Sequence, residues 1–185
     1  MHALLKKAAV ALPAAALMVA LAPTAASAEE PLGVRCAGGN AQMSAKPGLT
    51  IVGSKQQTWT GEGVTTGCKN VGSGKAVTSA IVFFEGNGKG ACVPEFGIPN
   101  ADLNGRITWN GGGPDVENKV SNVSGTSKLT WTGANFTGVV TDGPFKGKKV
   151  NATASWDFDL IAAAGGCFLG GYTNAVGTWD SLNIG

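Results

Sequence analysis

Val150-Asn151-Ala152-Thr153-Ala154-Ser155-Trp156-Asp157-Phe158-Asp159-Leu160 decides the fold class. Val150, Ala152, Ala154, Trp156, Phe158 and Leu160 fall on one side of an extended chain, and Asn151, Thr153, Ser155, Asp157 and Asp159 on the other. That period of two gives a β-strand one face for a core and one for water. Further runs rich in Val, Thr, Ile, Trp and Phe cover 49–53, 57–61, 77–85, 103–110, 116–123, 127–132, 136–141 and 175–184, punctuated by glycine. No window after residue 28 sustains an apolar period of 3.6, and Ala162-Ala163-Ala164-Gly165-Gly166 is too rich in glycine for more than a helical turn. About eight to ten strands without crossover helices predict a single-domain, all-β antiparallel β-barrel or β-sandwich.

The first 28 residues follow another pattern. Lys6-Lys7, an apolar run over 8–22 broken by Pro13, and the small-residue tripeptide Ala26-Ser27-Ala28 have the order of a secretory signal peptide. Cleavage after Ala28 would leave a β domain over 29–185 in a secreted, extracellular protein. The apolar run, about 15 residues, falls short of the ~20 that cross a bilayer, so no membrane anchor is expected. Arg35 stands where lipid attachment at Cys36 would need a small residue, which leaves Cys36 as a disulfide partner.

Without that segment the chain has no histidine, because the only one is His2. Ser-His-Asp and Cys-His nucleophile systems and mixed Cys/His zinc sites are thereby excluded. Removing Lys6 and Lys7 from the 14 basic residues leaves 12 against 12 acidic ones, a net charge of zero. Such a surface gives nucleic acid no electrostatic footing, and the local cluster Lys146, Lys148 and Lys149 reads as a charged loop rim that discourages edge pairing. Cys36, Cys68, Cys92 and Cys167 are separated by 31, 23 and 74 residues, with no Cys-x-x-Cys pair. In an oxidising compartment they make two disulfides. Of the three pairings, Cys36 with Cys68 and Cys92 with Cys167 is favoured, since the first two flank the N-terminal sheet segment and the others bracket the rest. No cofactor and no metal is expected.

Five tryptophans carry the leading functional reading. Thr58-Trp59-Thr60-Gly61, Thr108-Trp109-Asn110-Gly111 and Thr130-Trp131-Thr132-Gly133 share a pattern, with looser copies at Ser155-Trp156-Asp157 and Thr178-Trp179-Asp180. Alternation turns most of these rings inward. Trp109, before the glycine run 111–113, and Trp179, in a segment of poor alternation, are the two expected at the surface as ligand-binding residues. Enzymatic chemistry would have to rest on carboxylates, lysines and hydroxyls. Asp157 and Asp159, with Cα atoms about 6.5–7 Å apart on one strand face, are the best pair, with Glu62, Glu85 or Glu95 as a second carboxylate. Alternating surface positions produce such pairs freely, as chance produces the adjacent Ser54-Lys55 and Ser44-x-Lys46. Gly86-Asn87-Gly88 and Gly111-Gly112-Gly113 lack phosphate-loop spacing and read as hairpin turns.

Pro47-Gly48-Leu49-Thr50, Gly105-Arg106-Ile107-Thr108-Trp109-Asn110-Gly111, and Gly138 through Gly147 with the late Cys167 resemble a group of small secreted actinobacterial proteins of unknown function. The resemblance implies a disulfide-bonded β fold outside the cell and brings no activity and no site residues. The expected function is a secreted, non-catalytic binding module for a carbohydrate, a cell-envelope polymer or a small apolar ligand. The alternatives are a protein-interaction or inhibitor role, using a loop at 95–104 or 111–117, and a carboxylate-dependent glycoside hydrolase or lyase.

Overall fold

Alternation of the kind read at 150–156 recurs along the long strands of the computed structural model, which describes residues 32–51, 53–92, 97–130, 132–157, 165–168 and 171–185. In chain order these hold β1 (Gly33–Cys36), β2 (Gly39–Leu49), β3 (Lys55–Thr65), β4 (Lys69–Val71), β5 (Val77–Gly90), β6 (Gly97–Gly111), β7 (Val120–Thr130), β8 (Gly133–Asp142), β9 (Lys149–Trp156) and β10 (Tyr172–Ile184). Each strand pairs antiparallel with its neighbours in the order β2-β3-β5-β6-β7-β8-β9-β10. The order closes because β10 also pairs with β2, with Val176 opposite Gln42 and Ala175 opposite Met43. The fold is therefore a closed eight-stranded barrel rather than a sandwich. Where β2 leaves the β10 edge, β1 takes over, with Val34 opposite Ile184, and β4 pairs outside β1. No helix among the described residues is long and apolar enough to cross a membrane.

Both disulfides follow the favoured pairing. Cys36–Cys68 joins the last residue of β1 to the break between β3 and β4, and Cys92–Cys167 ties the segment just after β5 to a helical turn at 165–168.

Eight strands enclose a space that side chains can fill, and here inward positions of every barrel strand fill it: Trp59, Val82, Leu103, Ile107, Trp109, Leu129, Val140, Ala154 and Leu182 among them. One end is plugged by loops. The β6–β7 connection buries Val116, and the β8–β9 turn buries Phe145 edge-on against Trp109, with ring centroids 5.1 Å apart at 71°. Phe145 holds φ at 66°, a costly conformation for a bulky residue, and its burial against Trp109 offsets that cost.

Glycine here marks close approach as often as it marks turns. The runs expected at 116–123 and 127–132 meet in one strand, β7, which begins only at Val120 and is continuous through Gly125, where a Cβ would lie 2.2 Å from the Thr137 carbonyl oxygen; 116–119 belong to the preceding turn, and residue 131 lies outside the described residues. Gly86-Asn87-Gly88, expected as a turn, lies inside β5, and the loop expected at 95–104 is β6 from Gly97 onward. Only Gly111-Gly112-Gly113 turns as read, with φ of 80°, 90° and 75°. The strand expected at 49–53 ends at Leu49, the last residue of β2.

Gly61 faces Phe84 across the β3–β5 pair, and a Cβ there would stand 1.9 Å from the ring's Cζ. Gly61→Ala should therefore cost about 1–3 kcal/mol through overpacking, with much of the loss recovered when Phe84→Leu is added. A urea midpoint for Gly61→Ala equal to that of the unaltered protein would refute this packing.

Candidate functional site

The two tryptophans expected at the surface are inside. Trp109 is 0% and Trp179 7% exposed, because both occupy inward positions of strict alternation. Trp109 follows Leu103 and Ile107 on β6. Trp179 follows Ala175 on β10, and a bulge between Trp179 and Ser181 resets the phase so that Leu182 and Ile184 also point inward. That extra residue is the cause of the poor alternation in the sequence. Trp59 and Trp156 are buried as well, and Trp131 lies outside the described residues.

Trp109 serves the plug. Its Nε1 donates to Ser121 Oγ at 2.8 Å, and that hydroxyl donates to the Pro144 carbonyl at 2.6 Å, which holds the β8–β9 turn over the barrel end. Trp179 instead packs edge-on to Phe84, with centroids 6.3 Å apart at 78°, and lines the barrel interior with Trp156.

Of the candidate carboxylates, Asp157 and Glu62 border one surface hollow, and Glu85 lies one row away on β5. Asp157 follows β9, exposed, with its backbone N–H donating to the Val176 carbonyl at 2.8 Å. Asp159 and Glu95 lie outside the described residues. Glu85 and Glu62 point outward from β5 and β3, and Glu62 accepts a hydrogen bond from Gln42 Nε2. Ser44 Oγ is paired with Thr60 Oγ1 at 2.8 Å. No group of three or more His, Cys, Asp or Glu side chains among the described residues could hold a metal ion.

A concave stretch of the exterior lies along β2, which sequence reading passed over. Its outward side chains Asn40, Gln42 and Ser44 are short and polar, and the register sets them in three rows across four strands. Asn174, Ser44, Thr60 and Glu85 form one row; Val176, Gln42, Glu62 and Phe83 the next; Thr178, Asn40, Val64 and Ile81 the third. Apolar Val176 rises on one side, and Phe83 and Ile81 on the other. Between them run two adjoining hollows of about 520 and about 400 Å³, both bordered by Gln42, Glu62 and Val176, with Asp157 at the far end. Each is of the size that holds small ligands. From Asn40 to Ser44 the trough runs about 13 Å at ~3.3 Å per residue.

The floor is pre-organised. Besides the Gln42–Glu62 and Ser44–Thr60 bonds, Asn40 Oδ1 accepts the Val64 backbone N–H at 2.8 Å, and the Arg106 guanidinium lies 4.9 Å over the Phe83 ring. Such a cation–π contact at an exposed site contributes about 0.5–1 kcal/mol and fixes the ring that forms one wall. The signal for β2 was present in Asn40-Ala41-Gln42-Met43-Ser44-Ala45-Lys46, which alternates fully but puts small alanines on its inner face.

Comparison of the chain with protein-family models, with curated proteins and with solved structures finds no match. Of the resemblance described from the sequence, the geometry bears out a disulfide-bonded all-β barrel.

The chain of bonds at the plug gives a separate expectation. Ser121→Ala leaves the Trp109 N–H and the Pro144 carbonyl buried without each other's intermediary, a loss of about 1–3 kcal/mol. Thermal unfolding at an unchanged midpoint would show that the bond does not hold the turn.

Proposed function

We propose that this protein is a secreted, non-catalytic module that binds a hydroxyl-rich polymer, a polysaccharide of the cell envelope or its surroundings, along the trough on β10, β2, β3 and β5. The observation that carries the reading is the row Val176, Gln42, Glu62 and Phe83, in which an amide and a carboxylate lie between two apolar walls. Sugar hydroxyls both donate and accept, so they match a floor that offers amide, hydroxyl and carboxylate groups together. The C–H faces of the sugar rings match Phe83, Ile81 and Val176. The trough's length suits a short run of linked sugars rather than a single one, and its floor is already held in place by its own hydrogen bonds, which limits the ordering cost of binding.

The signal-like first 28 residues support export. Two disulfides agree with an oxidising compartment, as does the resemblance to small secreted actinobacterial proteins. The absence of histidine after residue 2 favours binding over turnover.

Incubation of the oxidised protein with insoluble polysaccharides and cell-wall preparations should deplete it from solution on at least one polymer. Gln42→Ala and Glu62→Gln should each weaken retention about tenfold, the loss of one hydrogen bond to a partly charged site. The indole N–H resonances of Trp59, Trp109, Trp156 and Trp179 should stay in place on binding, since these four rings lie inside the barrel. Retention on no polymer, or retention indifferent to both substitutions, would defeat this reading.

A further inference from the structure

At the plugged end, two rows of residues cross from β9 through β10 and β1 to β4 without a carboxylate side chain. One is Lys149, Gly185, Gly33 and Val71; the next is Asn151, Asn183, Arg35 and Lys69. Arg35 and Lys69 stand directly opposite each other, both exposed, and like charges so placed weaken a strand pair. Lys148 and Lys75 join them at the rim, Lys75 through its carbonyl, which accepts a hydrogen bond from Asn70 Nδ2 at 2.7 Å. The ion pairs among the described residues are Lys119–Asp115 and Lys146–Asp142, so none of these five cations is paired with a carboxylate side chain there. Asp180 of β10 accepts a hydrogen bond from Ser155 instead. Edge protection, the role read from the sequence for Lys148 and Lys149, does not account for them, because β9 is paired on both sides.

Two aliphatic side chains protrude at the same place. Leu32 is 59% and Val71 37% exposed. Val71 shares its strand face with Lys69, and Leu32 lies 3.2 Å from where a Cβ on Gly72 would stand. Gly33 and Gly185, between Lys149 and Val71 in their row, add no side chain that would cover either. Even when Glu117 of the neighbouring loop and Glu29 and Glu30, ahead of β1 in the sequence, are set against the five cations, the cations are in excess by two. Glu62, Glu85 and Asp157 lie elsewhere, along the trough. A net charge of zero therefore conceals a polarised surface.

From the unpaired cations and the aliphatic tips among them we infer that this face docks the protein on an anionic lipid surface. Headgroup phosphates meet Arg35, Lys69, Lys75, Lys148 and Lys149, while Leu32 and Val71 enter the boundary between headgroups and acyl chains. A soluble polyanion would use the cations alone and gain nothing from the aliphatic pair, so the combination favours lipid. The contact is peripheral and reversible, since it rests on surface charge and two short side chains. It also leaves the trough free. Val176 lies about 20 Å back along β10 from Asn183, at ~3.3 Å per residue.

Sedimentation of the full oxidised protein with vesicles of phosphatidylcholine alone, and of an equimolar mixture with phosphatidylglycerol, tests the face. The protein should sediment with the mixed vesicles only, and high salt should release it. Arg35→Gln and Lys149→Gln should each weaken binding about fivefold, and Leu32→Ser and Val71→Ser about threefold. All four side chains are exposed, so the variants should fold. Lys128→Gln, near the opposite end of the barrel on β7, should change nothing. Absence of vesicle binding, equal binding to the two vesicle types, or a loss with Lys128→Gln as large as with Arg35→Gln overturns the inference. So does equal binding to polyphosphate or duplex DNA with Leu32→Ser and Val71→Ser both without effect, which would make this a face for soluble polyanions. Each of those outcomes leaves the polysaccharide reading intact, because polymer retention is read at Gln42 and Glu62.

Discussion

The backbone hydrogen bonds between β10 and β2 are the constraint on which the rest of the molecule depends. They join the two edges of the eight-stranded sheet, β2 and β10, and unpaired edges are the feature that β proteins must otherwise cover or charge. Closure also creates both faces of interest. Outside, it brings Val176 beside Gln42 and so builds one wall of the trough; inside, it sets Trp179 of β10 across from Gly63 of β3.

Closure with eight strands limits the interior, and the chain meets that limit by placing large rings opposite glycine. Phe84 fills the space above Gly61, Trp179 the space above Gly63, and Phe136 lies against Gly138. Aromatic mass is thus concentrated in a few positions rather than spread evenly, which leaves a small residual cavity between rings and alanines. The tryptophans divide accordingly. Trp109 is tied by hydrogen bonding to a loop, whereas Trp59, Trp156 and Trp179 keep unpartnered indole nitrogens among the described residues.

Fold class was legible in the sequence because one segment, 150–156, alternates strictly, with Val150 and Trp156 bracketing two alanines on its inner face and Asn151, Thr153 and Ser155 on the other. The choice of barrel over sandwich was not legible, since it rests on a pairing between positions as distant as 42 and 176. β1 and β4 are too short for a period to show, and β2 hides its period behind alanine. Trp179 was misplaced by a single bulge residue, which no pattern of strict alternation can anticipate. The trough was illegible for a related reason. Its floor takes one residue from each of several strands, and Gln42, Glu62 and Val176 become neighbours only once the register is known.

β10 has three partners, β9 along one side and β2 followed by β1 along the other. It is also the last of the described strands, so every earlier hairpin can form while the ring is still open. Pairings this distant in sequence are slow to find, typically taking milliseconds to seconds. During that interval β2 and β9 both present free edges to any neighbouring chain. The competition between self-association and barrel formation is therefore decided at one step, the docking of the final strand, and crowding of nascent molecules would bear on yield more heavily than on the stability of the finished barrel.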